Sequence, residues 1–100
     1  MIKLYVLNKN EILNLDNNKW TFAEIAGKVD EECIELVEAL TSFDQEHIAE
    51  EALDVIQVAM GLLDKLSCGD MDLKKEIEIH NAKLKGRGWE FKKTLEVRQV

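Results

Sequence analysis

The sequence predicts an all-α fold, a helical hairpin followed by a third helix. Three observations carry this. Apolar residues recur at steps of three and four along two long stretches, which is the mark of one buried stripe per helix. Each stretch opens on a residue suited to capping a helix N-terminus. There is no proline and there are only five glycines in 100 residues, so little interrupts helical backbone.

The first twenty residues precede the helices and read ambiguously. Ile2, Leu4 and Val6 alternate like a strand, and Ile12, Leu13 and Leu15 suit a short helix. The clusters Asn8-Lys9-Asn10 and Asp16-Asn17-Asn18 look like turns. The first helix opens on Thr21-Phe22-Ala23-Glu24, which has the form of a capping box. Its stripe is Phe22, Ile25, Val29, Cys33, Leu36 and Leu40, and it ends near Thr41-Ser42. Asp44 caps the second helix, with the stripe Ile48, Ala52, Val55, Ala59, Leu62 or Leu63, and Leu66. Ser67-Cys68-Gly69-Asp70 breaks it, with Gly69 suited to the helix C-terminus. Asp70 or Asp72 caps the third, whose face is Leu73, Ile77, His80 and Leu84, and Gly86 and Gly88 end it. Residues 1–100 are read as one domain, with 1–20 its least defined part.

Composition narrows the function. Hydrophobic residues make up 46%, which argues against disorder. No apolar run approaches the roughly 20 residues needed to span a bilayer, so no membrane partner is expected. The N-terminus lacks a basic flank and a cleavage motif, and Cys33 and Cys68 form no framework, so a cytoplasmic setting is expected. Charge is unevenly placed within a net −7: residues 22–72 hold fourteen acids and two bases, and residues 73–100 hold eight bases and four acids. An acidic middle is poorly suited to gripping duplex nucleic acid. It suits holding metal on one side and phosphate on the other.

Four carboxylates stand out in that middle: Glu32 with Glu35, and Glu51 with Asp54. Each pair is spaced i, i+3, so both side chains leave the same stretch of helix surface. Glu32 lies roughly 80° from the centre of its stripe and Glu51 roughly 70° from its own, so each pair starts at a stripe edge and turns toward solvent. The connection between the helices is only a few residues long, so they form an antiparallel hairpin and the pairs can face each other. Like charges at helical neighbour spacing cost about 0.2–0.5 kcal/mol per pair, so four converging acids need a cation. An all-oxygen set points to Mg²⁺, with Mn²⁺ a possible substitute. A solvated acidic face is the bland alternative for either pair alone. Neither pair contains the histidine of a di-iron Glu-x-x-His motif, and no EF-hand loop or Walker motif is present.

The run Glu31-Glu32-x-x-Glu35, fifteen residues, then Glu51-x-x-Asp54 resembles the signature of the MazG-like all-α nucleoside triphosphate pyrophosphohydrolase superfamily. Ile48-Ala49-Glu50-Glu51-Ala52-Leu53-Asp54-Val55 has that family's look, and Asn81-Ala82-Lys83-Leu84-Lys85-Gly86-Arg87-Gly88-Trp89 resembles its downstream segment. The likeness covers about residues 20–90. It implies Mg²⁺ held by Glu32, Glu35, Glu51 and Asp54, with Glu31 nearby orienting the site. Among Glu31, Glu32 and Glu35, a glutamate not fully used by metal would serve as base. Asn81, Lys83, Lys85 and Arg87 would contact phosphate or nucleotide. The implied reaction is hydrolysis of a nucleoside triphosphate to monophosphate and pyrophosphate by metal-activated water. A homo-oligomer, dimer or tetramer, would complete a four-helix-bundle-like core, because three helices are too few to bury their own stripes. The rivals are a non-enzymatic helical module that binds a partner protein through its acidic face, and a pyrophosphohydrolase for a phosphoribosyl nucleotide. Trp20 and Trp89 could stack on a base, although single tryptophans more often pack in cores or interfaces. His80 and Cys33 are expected to pack.

Overall fold

The computed structural model describes residues 2–96. Among them three helices form: α1 (Phe22–Leu40), α2 (Gln45–Ser67) and α3 (Leu73–Gly86). Before them lie two short strands, β1 (Lys9–Asn10) and β2 (Leu15–Asp16), and a single 3₁₀ turn over Asn17–Lys19. The fold is all-α, a helical hairpin plus a third helix, as the periodicity predicts.

Helix starts follow the capping residues. The Thr21 hydroxyl accepts from the Glu24 N–H at 3.2 Å, and the Glu24 carboxylate accepts from the Thr21 N–H at 3.2 Å. Both halves of the capping box are therefore made, satisfying two N–H groups that the helix itself leaves unpaired. Asp44 caps α2 by accepting from the His47 N–H at 3.3 Å, and Asp72 caps α3 by accepting from the Lys75 N–H at 3.2 Å. Of the C-terminal glycines, Gly88 takes up the left-handed backbone, at φ 92°, two residues beyond α3. Gly69 does not use that freedom; its N–H simply bonds the Leu66 carbonyl.

The first twenty residues differ from the reading above. Ile2, Leu4 and Val6 form no strand. The strands pair Lys9 with Asp16 and Asn10 with Leu15, so each polar cluster gives residues to one hairpin arm, 11–14 form the turn between them, and Asn17 and Asn18 pass into the 3₁₀ turn. Asn14 reaches φ 54°, and the Asn10 carboxamide accepts from the Leu13 N–H at 3.1 Å. Asparagine tolerates that left-handed backbone better than the aliphatic residues beside it, so turn chemistry outweighs the helical spacing of Ile12, Leu13 and Leu15.

Packing between α1 and α2 follows a line rotated from the apolar stripe. The most enclosed residues of α1 are Ile25, Glu32 and Ala39, at 8%, 7% and 1% exposure. Glu32 therefore sits in the middle of the contact face rather than at its edge. Phe22, Val29, Cys33 and Leu40, on the same stripe roughly 60° around, stay open. On α2, Ile48, Ala52, Val55, Leu62 and Leu66 are half-buried and Ala59 is exposed. Helix α3 covers little: Leu73 and Leu84 are half-buried, and Ile77 and His80 are exposed. The packed roles expected for His80 and Cys33 are not taken up within one chain. The accessible surface is 8972 Å², against roughly 5,800 Å² for a compact folded chain of this mass.

Candidate active site

The α1–α2 turn sets the site. Phe43, at φ 60°, closes the four-residue turn in the left-handed region, which is unusual for a bulky residue. The turn places the helices in register about Phe43. Glu35 and Glu51 each lie eight residues from it, and Glu32 and Asp54 each lie eleven. Antiparallel helices bring such equidistant positions level with one another.

Glu32, Glu35 and Glu51 do meet, with one carboxylate oxygen from each lying within 4.8 Å of the others. Glu32 is the most buried, the Glu51 side chain is 13% exposed, and Glu35 is the most open. One oxygen of Glu32 and one of Glu51, both Oε2, are buried with no hydrogen-bond partner. Buried carboxylate oxygens without a donor are costly unless a cation or a water meets them. Among the described residues, basic neighbours are few. Lys28 Nζ lies 3.1 Å from Glu32 and 3.5 Å from Glu31, and His47 Nδ1 lies 3.9 Å from Glu51. The negative charge of Glu32 holds the Glu35 pKa above the usual carboxylate range, with partial loss of hydration and the Glu51 charge adding to it. The hydrogen bond to Glu32 raises the Lys28 pKa. This donor set fits a hard divalent cation: three carboxylates, two of them with an orphaned oxygen.

Asp54 is exposed and stands outside the three-carboxylate cluster, one turn along α2 from Glu51. It lines a groove of about 930 Å³ with Glu31, Glu32 and Lys28. From that acidic end the groove runs between α1 and α2 past Ile25, Gln57, Val58 and Leu62 to Phe22 and Lys65. Val6, Leu7, Leu15, Asn17, Asn18 and Trp20 of the N-terminal segment form its outer wall. The Gln57 carboxamide donates to the Tyr5 carbonyl and ties that segment to α2.

The four residues expected to contact phosphate lie elsewhere. None of Asn81, Lys83, Lys85 and Arg87 lines the groove. Lys83 and Lys85 occupy the last turn of α3 and Arg87 caps it, all exposed, where the helix dipole favours cations. Asn81 lines a separate depression with Ile77, Leu84 and Phe91. Trp89 is exposed. Conversely, the sequence reading did not single out Lys28 or Gln57 as site residues. For Lys28 a signal existed: it precedes Glu32 by four residues, and only Lys65 shares the acidic stretch with it. Gln57 had none, because its partner is a backbone carbonyl 52 residues away.

A hairpin that gathers carboxylates beside a groove is an arrangement that can hold a divalent cation next to a phosphorylated ligand. The comparison with known families narrows this. A sequence model described as phosphoribosyl-ATP pyrophosphohydrolase matches residues 11–82, and the chain belongs to that family, a member of the MazG-like all-α superfamily. The match spans Glu31, Glu32, Glu35, Glu51, Asp54 and Asn81 and stops short of Lys83, Lys85 and Arg87. No curated protein and no solved structure matches the chain. The family assignment makes it a pyrophosphohydrolase, a hydrolase acting on phosphoric anhydrides. No described helix is long and apolar enough to cross a membrane.

Proposed function

We propose that the chain is a Mg²⁺-dependent nucleotide pyrophosphohydrolase that adds water across the α–β anhydride of a triphosphate. The products are a nucleoside monophosphate and pyrophosphate. The observation that carries this is the cluster of Glu32, Glu35 and Glu51 with two orphaned buried oxygens, of which Glu32 also lines the groove. The groove, about 930 Å³, falls within the range of roughly 300–1,000 Å³ for small-molecule sites. Glu32, Glu35 and Glu51 would hold the ion, with Asp54 completing the set from the groove side. Bound Mg²⁺, or Mn²⁺ in its place, supplies neutralisation of phosphate charge and polarises the attacking water. Lys28, at the groove's acidic end, is placed to meet a phosphate oxygen. Glu31 also lines the groove, outside the cluster, and can accept the proton released by the water. Phosphoryl chemistry of this kind needs positioning and charge stabilisation rather than a protein nucleophile.

Phosphoribosyl-ATP is the second substrate reading, favoured by the family that the chain matches. Its triphosphate offers the same anhydride as an ordinary (d)NTP, so the two readings share the acidic end of the site and differ at the base. The working form is a homo-oligomer. The surface exceeds that of a compact chain by roughly 3,000 Å², and Phe22, Val29, Leu40, Ile77 and Ile79 are all open. Open apolar residues of this kind are what an obligate interface covers. In such an assembly, Asn81, Lys83, Lys85 and Arg87 of one copy would meet the phosphates held by another.

The test is pyrophosphate release from ribo- and deoxyribonucleoside triphosphates and from phosphoribosyl-ATP, with and without Mg²⁺, for wild type and Glu35→Gln. Metal-dependent release that the substitution abolishes is the expected result. No release from any substrate would leave the acidic face as a binding surface for a partner protein.

A further inference from the structure

The groove has two ends of different chemistry, and the function proposed above uses only the acidic one. The other end is walled by the segment before α1, where Asn17, Asn18 and Trp20 line the groove together with Phe22, Leu62 and Lys65. At 1.5 Å per residue, Phe22 stands about 15 Å along α1 from Glu32. That is comparable to the reach of an extended nucleoside triphosphate, so phosphates held at Glu32 place the base near Trp20.

Asn18 is held in one orientation. Its Nδ2 donates to the Asn8 carboxamide oxygen and to Asp16 Oδ1, the latter at 3.1 Å, and its backbone N–H donates to the same Asp16 oxygen at 3.0 Å. An amide nitrogen has two donors, and both are engaged. The pole that Asn18 can offer a ligand is therefore its carbonyl oxygen, an acceptor. A free asparagine can flip to suit either a donor or an acceptor; this one is pinned by partners from β2 and from the residue before β1. The wall itself is anchored by the Gln57 carboxamide on the Tyr5 carbonyl and by the Asn17 N–H on the Asn8 carbonyl at 2.9 Å.

We propose that residues 5–20 are the base-reading wall of the groove: Trp20 stacks on the base, and the pinned Asn18 carbonyl accepts from an exocyclic amino group. The site then favours adenine and cytosine nucleotides over their keto counterparts, hypoxanthine and uracil. A keto oxygen in that position would meet an acceptor, with no flip available to relieve the contact. Asn8 is a positioning residue that fixes Asn18. This rests on the nucleotide reading of the groove, and the experiment separates the two.

The experiment pairs turnover with binding. Pyrophosphate release is compared for ATP against ITP and for CTP against UTP, and binding of AMP against IMP is measured by calorimetry. The proteins are wild type, Asn18→Ala, Asn8→Ala, Trp20→Phe and Trp20→Ala, each checked for unchanged helicity. Wild type is expected to favour AMP over IMP, and ATP over ITP, by about tenfold or more. Asn18→Ala and Asn8→Ala bring both ratios close to one. Trp20→Ala weakens AMP and IMP alike by about tenfold, and Trp20→Phe restores most of that because a stacking face remains. Equal binding of AMP and IMP by wild type overturns the proposal, as does a preference that survives Asn18→Ala, or a failure to bind either nucleotide. If AMP is preferred through Asn18 but no triphosphate is hydrolysed, the wall stands and the hydrolase reading fails.

Discussion

Two charged regions of this chain meet opposite fates. The acids of the α1–α2 hairpin, 19 residues apart between Glu32 and Glu51, come within 4.8 Å of one another. The bases at the end of α3, although just as evident in the sequence, do not reach the groove. The difference is mechanical. A four-residue turn joins two long amphipathic helices, so distance from the turn fixes which residues lie level across the hairpin. Helix α3 leaves α2 after a break, and only Leu73 and Leu84 of it are half-buried, so no such rule places its far end. Charge spacing is informative where a short connection converts it into geometry, and much less so beyond.

The largest effect should come from breaking the acidic side of this comparison. Glu51→Gln neutralises a carboxylate that carries a buried, unpartnered oxygen, and turnover should fall by about a hundredfold or more if Glu51 holds the proposed ion. Lys83→Ala should change it by less than about tenfold. Equal losses would mean that the α3 bases serve turnover as fully as the hairpin acids do.

Assembly is the next way to sharpen it. Val29→Glu places a charge on the open face of α1, and sedimentation should show a lower mass. If a second copy brings its α3 to the phosphates, Arg87→Ala should raise KM about tenfold. Mixing inactive Glu35→Gln with Arg87→Ala should then restore part of the activity. Wild type that sediments as a monomer would remove this arrangement altogether.

A smaller effect concerns stability and metal. Ligand at about 100 times its Kd stabilises by about 2.7 kcal/mol, so saturating Mg²⁺ should raise the Tm by several degrees. Thermal melts of Glu32→Gln should show no such rise.

The smallest is the pH dependence of the metal-free protein. The Glu35 pKa lies above its ordinary value near 4.5, mainly through Glu32. The native state then binds more protons than the unfolded chain between those two values. Stability contributed by this group is therefore greatest at low pH and declines as pH rises through that window. Glu35→Gln should flatten the decline, and urea melts across pH 4–7 with chelator present would read it. A stability that rises with pH there, unaltered by Glu35→Gln, would contradict the charge crowding.

Much of the fold was legible in the residues. Thr21, Asp44 and Asp72 cap the three helices as their side chains dictate, and apolar spacing gives the helix lengths. The rotation of α1 was not legible. Its stripe runs through Phe22, Val29 and Leu40, yet α2 packs on Ile25, Glu32 and Ala39. A stripe wider than one neighbour can cover does not say which part that neighbour takes. Nor could periodicity find the N-terminal wall, whose order rests on asparagine side chains and one long-range bond from Gln57. Of the four acids that the spacing sets together, Glu32, Glu35 and Glu51 come within reach of one another. Asp54 stands apart from them, exposed on the groove, although it lies level with Glu32 across the hairpin.

The central claim is that the hairpin acids are a metal site while the α3 bases are not part of it. Calorimetric titration of Mn²⁺ into wild type, Glu51→Gln and Lys83→Ala tests it most directly, with helicity monitored in each. Saturable binding in wild type and Lys83→Ala, lost in Glu51→Gln at unchanged helicity, is the predicted result. Binding that Glu51→Gln leaves intact, or no binding in wild type, would contradict it.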